Sequence, residues 1–501
     1  MKRVVVVGGG ITGLATALHL RDRAGEVPEG LEVVVMEAAE RPGGNVQTDR
    51  VDGFTIERGP NGFLDNVPAT LDLVRRLGLE GSTQQADQSA ARRFLFRHGR
   101  LHLLPSGPVG FLRNPVLSMR GRLRVFGEPF ARRRPPGVDE SVFDFASRRI
   151  GEEAAAVLVD AMVSGVFAGN VHELSLRSAF PKMAQMEEEH GGLVRAMVAK
   201  LASRRSARKE ARTRAARGED VAQLTQPGGP AGPGGTLTSF RNGLDVLVDG
   251  LAREVGESLR LRSPVTGVQK SSAPKGPSGS GDPVGGGLRA EVEPKVWAVQ
   301  LASGEVVDAD VVVVAVPSPS AARLMEPMDP VLGLEVGGIE TAGLAVVALG
   351  YREEDLDEVH GFGFLVPRGT GPRILGCLWD SSIFPGRAPA GHVLLRAMIG
   401  GAHAPSAVGQ ETAELLDVVR QDLDTTMGIR AEPVRSLVYR WPNGIAQYRI
   451  GHQARLDRIH ARLREHPGLW VAGSSFYGIS MNACFEKAPS QAGEILAYIR
   501  R

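Results

Sequence analysis

Cysteine is nearly missing: the 501-residue chain has two, Cys377 and Cys484. Two thiols build neither a disulfide framework nor a zinc-ligand spacing, so a reducing compartment is expected. An excess of charge is also missing. Its 59 basic and 57 acidic residues leave a formal net charge of +2. That balance provides no global field for a polyanion, and no nucleic-acid partner is expected. Apolar runs reach nowhere near the ~18 residues that span a bilayer. The opening MKRVVVVGGG breaks at glycine too early for a signal peptide. The histidines are scattered, without HExxH or paired ligand spacing, so no metal site is expected. Glu187-Glu-Glu-His190 reads as a solvated helix face. There is no GxSxG motif, no Cys–His nucleophile elbow and no internal repeat.

What is present is the composition of a soluble globular protein, 42% hydrophobic and 23% charged. A wholly disordered chain and a multi-span membrane protein are excluded. The length predicts two to four domains, or one discontinuous pair. The 63 glycines are aperiodic, which excludes collagen, and they gather in turns and two linker-like stretches.

Arg3–Val7 is a β-branched run that reads as a buried parallel strand, and Leu31–Glu37 as a second. Between them, Leu14, Ala17 and Leu18 fall at helical spacing, which completes a βαβ unit. Helices are predicted over Asn66–Leu77, capped by Asn66 and stopped by Gly78, and over Val142–Val163 and Val194–Leu201. Arg204–Arg217 is strongly basic. Gln226–Gly235 and Ser271–Gly287 read as loops, the second flexible. Strands are predicted at Val296–Leu301 and Val311–Val316, and a mixed or antiparallel sheet from Gly343 to Gly401. A strand at Leu469–Ala472, a glycine turn and a helix at Pro489–Arg501 close the chain.

The sharpest motif is Gly8-Gly-Gly10-Ile-Thr-Gly13, placed between strand and helix. Gly8 allows a tight turn, Gly10 lets backbone approach a pyrophosphate, and Gly13 lets helix and strand pack closely. The helix N-terminus offers N–H groups to the phosphates. Glu37 ends the second strand, where a carboxylate accepts from ribose hydroxyls. The alternative is a glycine turn without nucleotide.

The stretch Glu37-Ala-Ala-Glu-Arg41-Pro-Gly43-Gly44-Asn45 resembles the second motif of the amine-oxidase-type flavoproteins, and Leu469-Trp-Val-Ala-Gly473 through Gly478-Ile-Ser-Met481 resembles their closing FAD segment. Within that superfamily the chain is most similar to the protoporphyrinogen oxidases. The carriers are Gly59-Pro-Asn-Gly62, Arg92-Arg93-Phe-Leu-Phe with Leu101–Ser106, Gly165-Val-Phe-Ala-Gly169-Asn, Gly361–Pro367, and Gly444–Tyr448 with Gly451-His452.

The resemblance implies an α/β fold with a discontinuous Rossmann-like FAD domain, an inserted mixed-sheet substrate domain and a helical membrane-docking insert. The expected segments are 1–80, 236–325 and 441–501 for FAD, with 271–287 a flexible loop. The substrate domain takes 81–94 and 326–440, the insert 95–205, and 206–235 is a linker. Noncovalent FAD is expected against Gly8, Gly10, Ile11, Thr12, Gly13, Glu37, Ala38, Arg41, Gly43, Gly44, Asn45, Gly59, Pro60, Asn61, Gly62, Val265, Gly473, Ser474, Ile479, Ser480 and Met481. For the substrate it places Arg93 at a propionate, although Arg92 and Arg97 are equally available. Gly165 and Phe167 are expected at the pocket wall, and Leu365, Leu378 and Met398 around the tetrapyrrole. Apart from the family, those last three read as core. Ala483 stands where the family usually has an aspartate, which puts a flavin contact or a helix cap in question.

The implied reaction is oxidation of protoporphyrinogen IX to protoporphyrin IX in heme biosynthesis, in three two-electron cycles, with dioxygen as acceptor and hydrogen peroxide as product. No protein residue is assigned as catalytic; the flavin carries the chemistry. Rival readings are oxidation of coproporphyrinogen III, amine oxidation, and a non-catalytic FAD-fold porphyrin carrier. A cytoplasmic protein on the inner-membrane surface is expected, assembled as a homodimer and handing product to the next heme-pathway enzyme. Gly107–Phe111, Val116 and Leu117 lie near Arg113, Arg120, Arg122, Arg124 and Arg132–Arg134, a pattern that suits anionic headgroups. The alternative is a solvated basic face.

Overall fold

The computed structural model describes residues 1–105, 107–135, 137–199, 202, 235–271 and 297–501. Ser106, Val296, Leu201, the basic run Arg204–Arg217, and nearly all of the Gln226–Gly235 and Ser271–Gly287 loops lie outside the described residues. The chain forms two compact units. One comprises Met1–Gly44, Leu247–Ile339 and Arg455–Arg501; the other comprises Asn45–Val246 and Glu340–Ala454.

The first unit is built on a five-stranded parallel sheet. Its order is Leu259–Arg260, Leu31–Met36, Lys2–Val7, Val311–Val314, Leu469–Val471. Val4, Val5, Val6 and Val311–Val314 are wholly buried, as strands covered on both faces must be. Helix Ile11–Asp22 is buried from Thr12 to Leu18 and packs against helix Met481–Ile499. A three-stranded antiparallel sheet, Val265–Lys270, Trp297–Leu301 and Val306–Ala309, adjoins in sequence.

The closing helix starts at Met481, well before the predicted Pro489, which lies inside it. Met481, Cys484, Phe485, Ala488, Ala492, Ile495, Leu496 and Ile499 are buried at helical spacing. That continuous apolar stripe outweighs the one backbone bond a proline removes.

The second unit is built on a seven-stranded mixed sheet. Its order is Arg435–Ala446, Thr341–Arg352, His392–Gly400, Ile374–Leu378, Gly363–Leu365, Arg93–Arg97, Arg100–Leu103. Only the pairing of Gly363–Leu365 with Arg93–Arg97 is parallel. One face carries the core: Phe96, Val347, Phe364, Cys377, Leu395 and Ile399 pack with Leu415, Val419 and Leu423 of helix Thr412–Met427.

Several boundaries differ from the sequence reading. Residues 45–80 pack in the second unit, because hairpin Thr48–Val51/Phe54–Glu57 buries Phe54 and Ile56 against Ala348 and Leu394 of the sheet. Residues 95–103 are strand, so the helical stretch begins at Pro108–Arg113. The predicted helix Val142–Val163 is interrupted at Gly151, whose φ of +95° ends helix Val142–Ile150; a π-helical turn, Ala155–Val159, then leads into Asp160–Phe167. Asn66 does not cap its helix, which runs Pro68–Arg76 after Val67. Glu187 is not solvated but buried, within 2.7 Å of Arg148 and 3.2 Å of Arg149.

Candidate active site

In the first unit, the turn after strand Lys2–Val7 is shaped by glycine. Gly8 sits at φ +113°, and a Cβ on Gly13 would fall 2.0 Å from the Gly8 carbonyl oxygen. At Gly10 the opposite holds: a Cβ would meet nothing nearer than Gly44 Cα at 4.0 Å. Gly10 bridges Gly43, whose N–H donates to the Gly9 carbonyl at 2.8 Å. Having no side chain, Gly10 cannot cap helix Ile11–Asp22. The first-turn N–H groups therefore face an open glycine cradle, which suits a diphosphate.

Glu37 closes the cradle. Its carboxylate accepts from the Gly9 N–H at 2.6 Å and the Ala39 N–H at 2.8 Å. A carboxylate offers about four acceptor directions, so two remain for ribose hydroxyls. Arg41 and Gly44 are exposed beyond it. Val265 begins its strand opposite Leu301.

Gly473, at φ +104°, turns the chain out of strand Leu469–Val471. Ser474 and Ile479 follow, half-buried, and Met481 is buried. The Ser480 hydroxyl accepts from the Ala483 N–H at 3.1 Å. Ser480 thus provides the cap, and Ala483 leaves none missing. Burial pushes the Cys484 thiol, which lies beside Thr12, above its usual range.

Asn45 and the segment Gly59, Pro60, Asn61, Gly62 belong to the second unit. The Asn45 side-chain amide donates to the Gly444 carbonyl at 3.0 Å. Asn61 donates to Asp380 at 3.2 Å.

The proposed substrate residues meet on the face of the seven-stranded sheet turned away from its core. Register places Arg93, Gly363, Leu378, Arg396 and Ala348 in one row, and Leu95, Leu365, Gly376, Met398 and Val346 in the next. Residues two apart on a strand share a face, so both rows point the same way. Val116 and Leu117 of an interhelical turn, with helical Ala154, Val157 and Ala161, cover this face over Leu95. The Thr48–Glu57 hairpin covers it over Ala348 and Leu394. Between the two covers, Arg93, Leu365, Leu378 and Met398 stay half-buried. Gly363 and Gly376 lie buried in the same rows, where a Cβ would fall 2.0 Å from the Cys377 carbonyl oxygen and 2.4 Å from the Phe364 carbonyl oxygen, respectively.

Gly165 lies in helix Asp160–Phe167, where a Cβ would come within 2.5 Å of Leu365 Cδ2. Phe167 is buried behind the wall, its ring 5.4 Å from Phe180 and 6.5 Å from Tyr448. The helix ends on Ala168 at φ +48°, and Gln447 donates to the Phe167 carbonyl at 2.8 Å.

The three arginines left open by the sequence occupy different places. Arg93 lies half-buried, 4.9 Å over the Phe362 ring, and burial lowers the pKa of its guanidinium. Arg92 lies 5.7 Å over Phe94, on the core side. Arg97 is 3.5 Å from Glu153.

Sequence reasoning missed Arg396 and Asp380, a buried pair at 2.7 Å, with Arg396 in the sheet row that carries Arg93 and Leu378. The available signal was a lone charge inside the apolar strand HVLLRAMIG. Val116 and Leu117, expected at a membrane, point into the Leu95 cluster instead. Arg134 is largely buried against Glu188 at 3.0 Å, so it is not part of an open basic face. Among the described residues, no cluster of three metal-ligating side chains occurs, and no helix is long and apolar enough to cross a membrane.

A profile of flavin containing amine oxidoreductases matches residues 11–496. The chain is 32% identical over 512 residues to the chloroplastic protoporphyrinogen oxidase of Oryza sativa subsp. japonica, covering 99% of this chain and 88% of that protein. It is 29% identical over 508 residues to the coproporphyrinogen III oxidase of Bacillus subtilis (strain 168), covering 99% and 98%. In fold it is similar to the crystal structure of a candidate protoporphyrinogen oxidase from Exiguobacterium sp. 255-15, with a TM-score of 0.77, 24% identity and 99% of each chain covered.

Proposed function

This chain belongs to the flavin containing amine oxidoreductases, and from that premise we propose that it oxidises protoporphyrinogen IX to protoporphyrin IX. It is an FAD-dependent oxidoreductase, and the Gly8–Gly13 turn, Glu37, the Gly43-Gly44 pair and the Gly473–Met481 turn of the first unit are the residues that would hold the cofactor. When bound, FAD supplies the two-electron acceptor for each of three successive oxidations, with dioxygen as the terminal acceptor and hydrogen peroxide as product.

The observation that carries the substrate reading is the half-open strip of sheet bearing Arg93, Leu365, Leu378 and Met398 between its two covers. A tetrapyrrole is flat, apolar and edged with carboxylates. Leucine and methionine side chains pack on its faces, and a guanidinium binds a propionate in bidentate fashion. The two covers keep water from the apolar strip. Arg93 orients the ring, and no side chain is needed to move a proton.

We take protoporphyrinogen, with two propionates, over coproporphyrinogen, with four, on the resemblance, and Arg93 is the cation proposed for a carboxylate; among the described residues of that face Arg396 is engaged by Asp380 at 2.7 Å and Arg97 lies by Glu153 at 3.5 Å. We further propose peripheral attachment to an anionic membrane. Val109, Met119, Leu123 and Phe130 are exposed on the helical stretch, Phe130 at 88%, beside exposed Arg113 and Arg120. A homodimer and hand-over of product to the next enzyme complete the proposal. The deciding experiment supplies each porphyrinogen to the yellow protein and follows porphyrin fluorescence. Turnover of neither refutes the substrate reading, and a higher kcat/KM on coproporphyrinogen reverses the preference.

A further inference from the structure

We propose that Arg396 and Asp380 form a positioning pair that carries the Gly59–Asn61 segment onto the substrate face and fixes one side of the substrate's seat. The inference rests on the reading of that face as the porphyrinogen site.

Arg396 is a charged residue in the middle of a buried strand, 1% exposed, in register with Leu378 on one side and Ala348 on the other. Its Nε donates to Asp380 Oδ2 at 2.7 Å. Its Nη1 donates to the Glu57 carbonyl at 3.0 Å and to the Gly59 carbonyl at 2.6 Å. Asp380 Oδ1 accepts in turn from the Asn61 amide at 3.2 Å. One ion pair therefore grips the irregular segment at three successive alternate residues, 57, 59 and 61.

Packing alone does not call for such a pair. Two buried charges are no more stabilising than apolar residues of similar volume. What a leucine or methionine does not provide is donors for loop carbonyls that have no ladder partner. The end of the hairpin has its own anchor: Glu57 meets Arg387 at 2.8 Å, and accepts from the Thr48 hydroxyl at 2.7 Å and the Leu244 N–H at 2.9 Å. Arg396 and Asp380 act on the chain beyond it. Leu378 is the register partner of Arg396 and Met398 lies two residues beyond it on the same strand, both half-buried on that face, and the segment held by Arg396 ends on the same row of the sheet. Release of Gly59–Asn61 changes the width of the seat at those two side chains.

The test uses the full flavin-loaded chain carrying Arg396→Met with Asp380→Leu, which removes both charges together and orphans neither. Ile399→Val, on the core face, serves as a control for general destabilisation. KM, kcat, porphyrin-product Kd and hydrogen exchange of the peptide spanning residues 58–66 are measured. The double variant is expected to raise KM and porphyrin Kd by about tenfold while kcat changes by less than about threefold, as loss of a remote seat does. The peptide should exchange faster, and Ile399→Val should move none of these. Unchanged exchange in the double variant overturns the positioning role whatever the substrate is. Faster exchange with unchanged KM and Kd overturns its bearing on the seat. Equal changes in Ile399→Val reduce the effect to stability and overturn both. Should the double variant fail to fold, Arg396→Lys keeps the charge but loses the fork, and is held to the same outcomes. A wild-type protein inert toward porphyrinogens refutes the substrate reading alone, because the exchange result still decides the positioning.

Discussion

Replacing Arg93 by methionine removes the guanidinium and keeps most of the stem that packs along the sheet. The geometry sets the size of the effect. Arg93 is half-buried over Phe362, and burial already disfavours its charge, so a propionate beside it forms a partly desolvated, charge-assisted pair. Such a bond contributes about 1.5–3 kcal/mol. At about 1.4 kcal/mol per decade, KM should rise by roughly 10- to 150-fold. Turnover at saturation should fall little, because an anchor remote from the reacting atoms binds ground and transition states alike. Arg93→Lys should fall between, since a point charge replaces a fork. The assay is initial-rate porphyrin fluorescence across substrate concentration, with melting temperature as a check on folding. A KM within twofold of wild type in Arg93→Met would falsify the assignment.

Gly13→Ala should yield protein without yellow cofactor, because its Cβ would fall 2.0 Å from the Gly8 carbonyl oxygen, a backbone atom that no side-chain rotation can move aside; full flavin occupancy by absorbance refutes the account of that turn. Asp329 is buried, which alone would raise its pKa, but the Leu332 N–H, His466 and Arg462 together hold it down to about 2, against an ordinary 3.8. Its stabilisation is thus present above pH ~4 and is lost as pH falls toward about 2, so Asp329→Asn should destabilise by about 2 kcal/mol at neutral pH and by progressively less in acid; a pH-independent difference in denaturation contradicts this. Both cysteines are buried, and burial raises both thiols above their usual range, so neither should react with a thiol reagent until the protein is unfolded. Binding to anionic liposomes should weaken with salt and with Arg113→Ser plus Arg120→Ser, and protein that floats free at low salt removes the membrane proposal.

The sequence alone determined the nucleotide half of this protein. A valine run, three spaced glycines and an acidic residue after the next strand constrain backbone locally: turn geometry, helix start and strand burial all follow from residues within one βαβ unit. It also indicated the mixed sheet, through short apolar runs broken by glycine. It did not reveal that residues 45–80 leave the first unit, because that depends on Phe54 and Ile56 finding Ala348 and Leu394, between about 290 and 340 positions away. It left Arg92, Arg93 and Arg97 equivalent, since strand alternation separates faces but not which face is core. Only the packing of helix Thr412–Met427 on one side of the sheet turned Arg93, Leu365, Leu378 and Met398 to the other. The Arg396–Asp380 pair was hidden for the same reason. A buried charge is legible in a sequence only as an oddity, and its partners are fixed by contacts that no local spacing encodes.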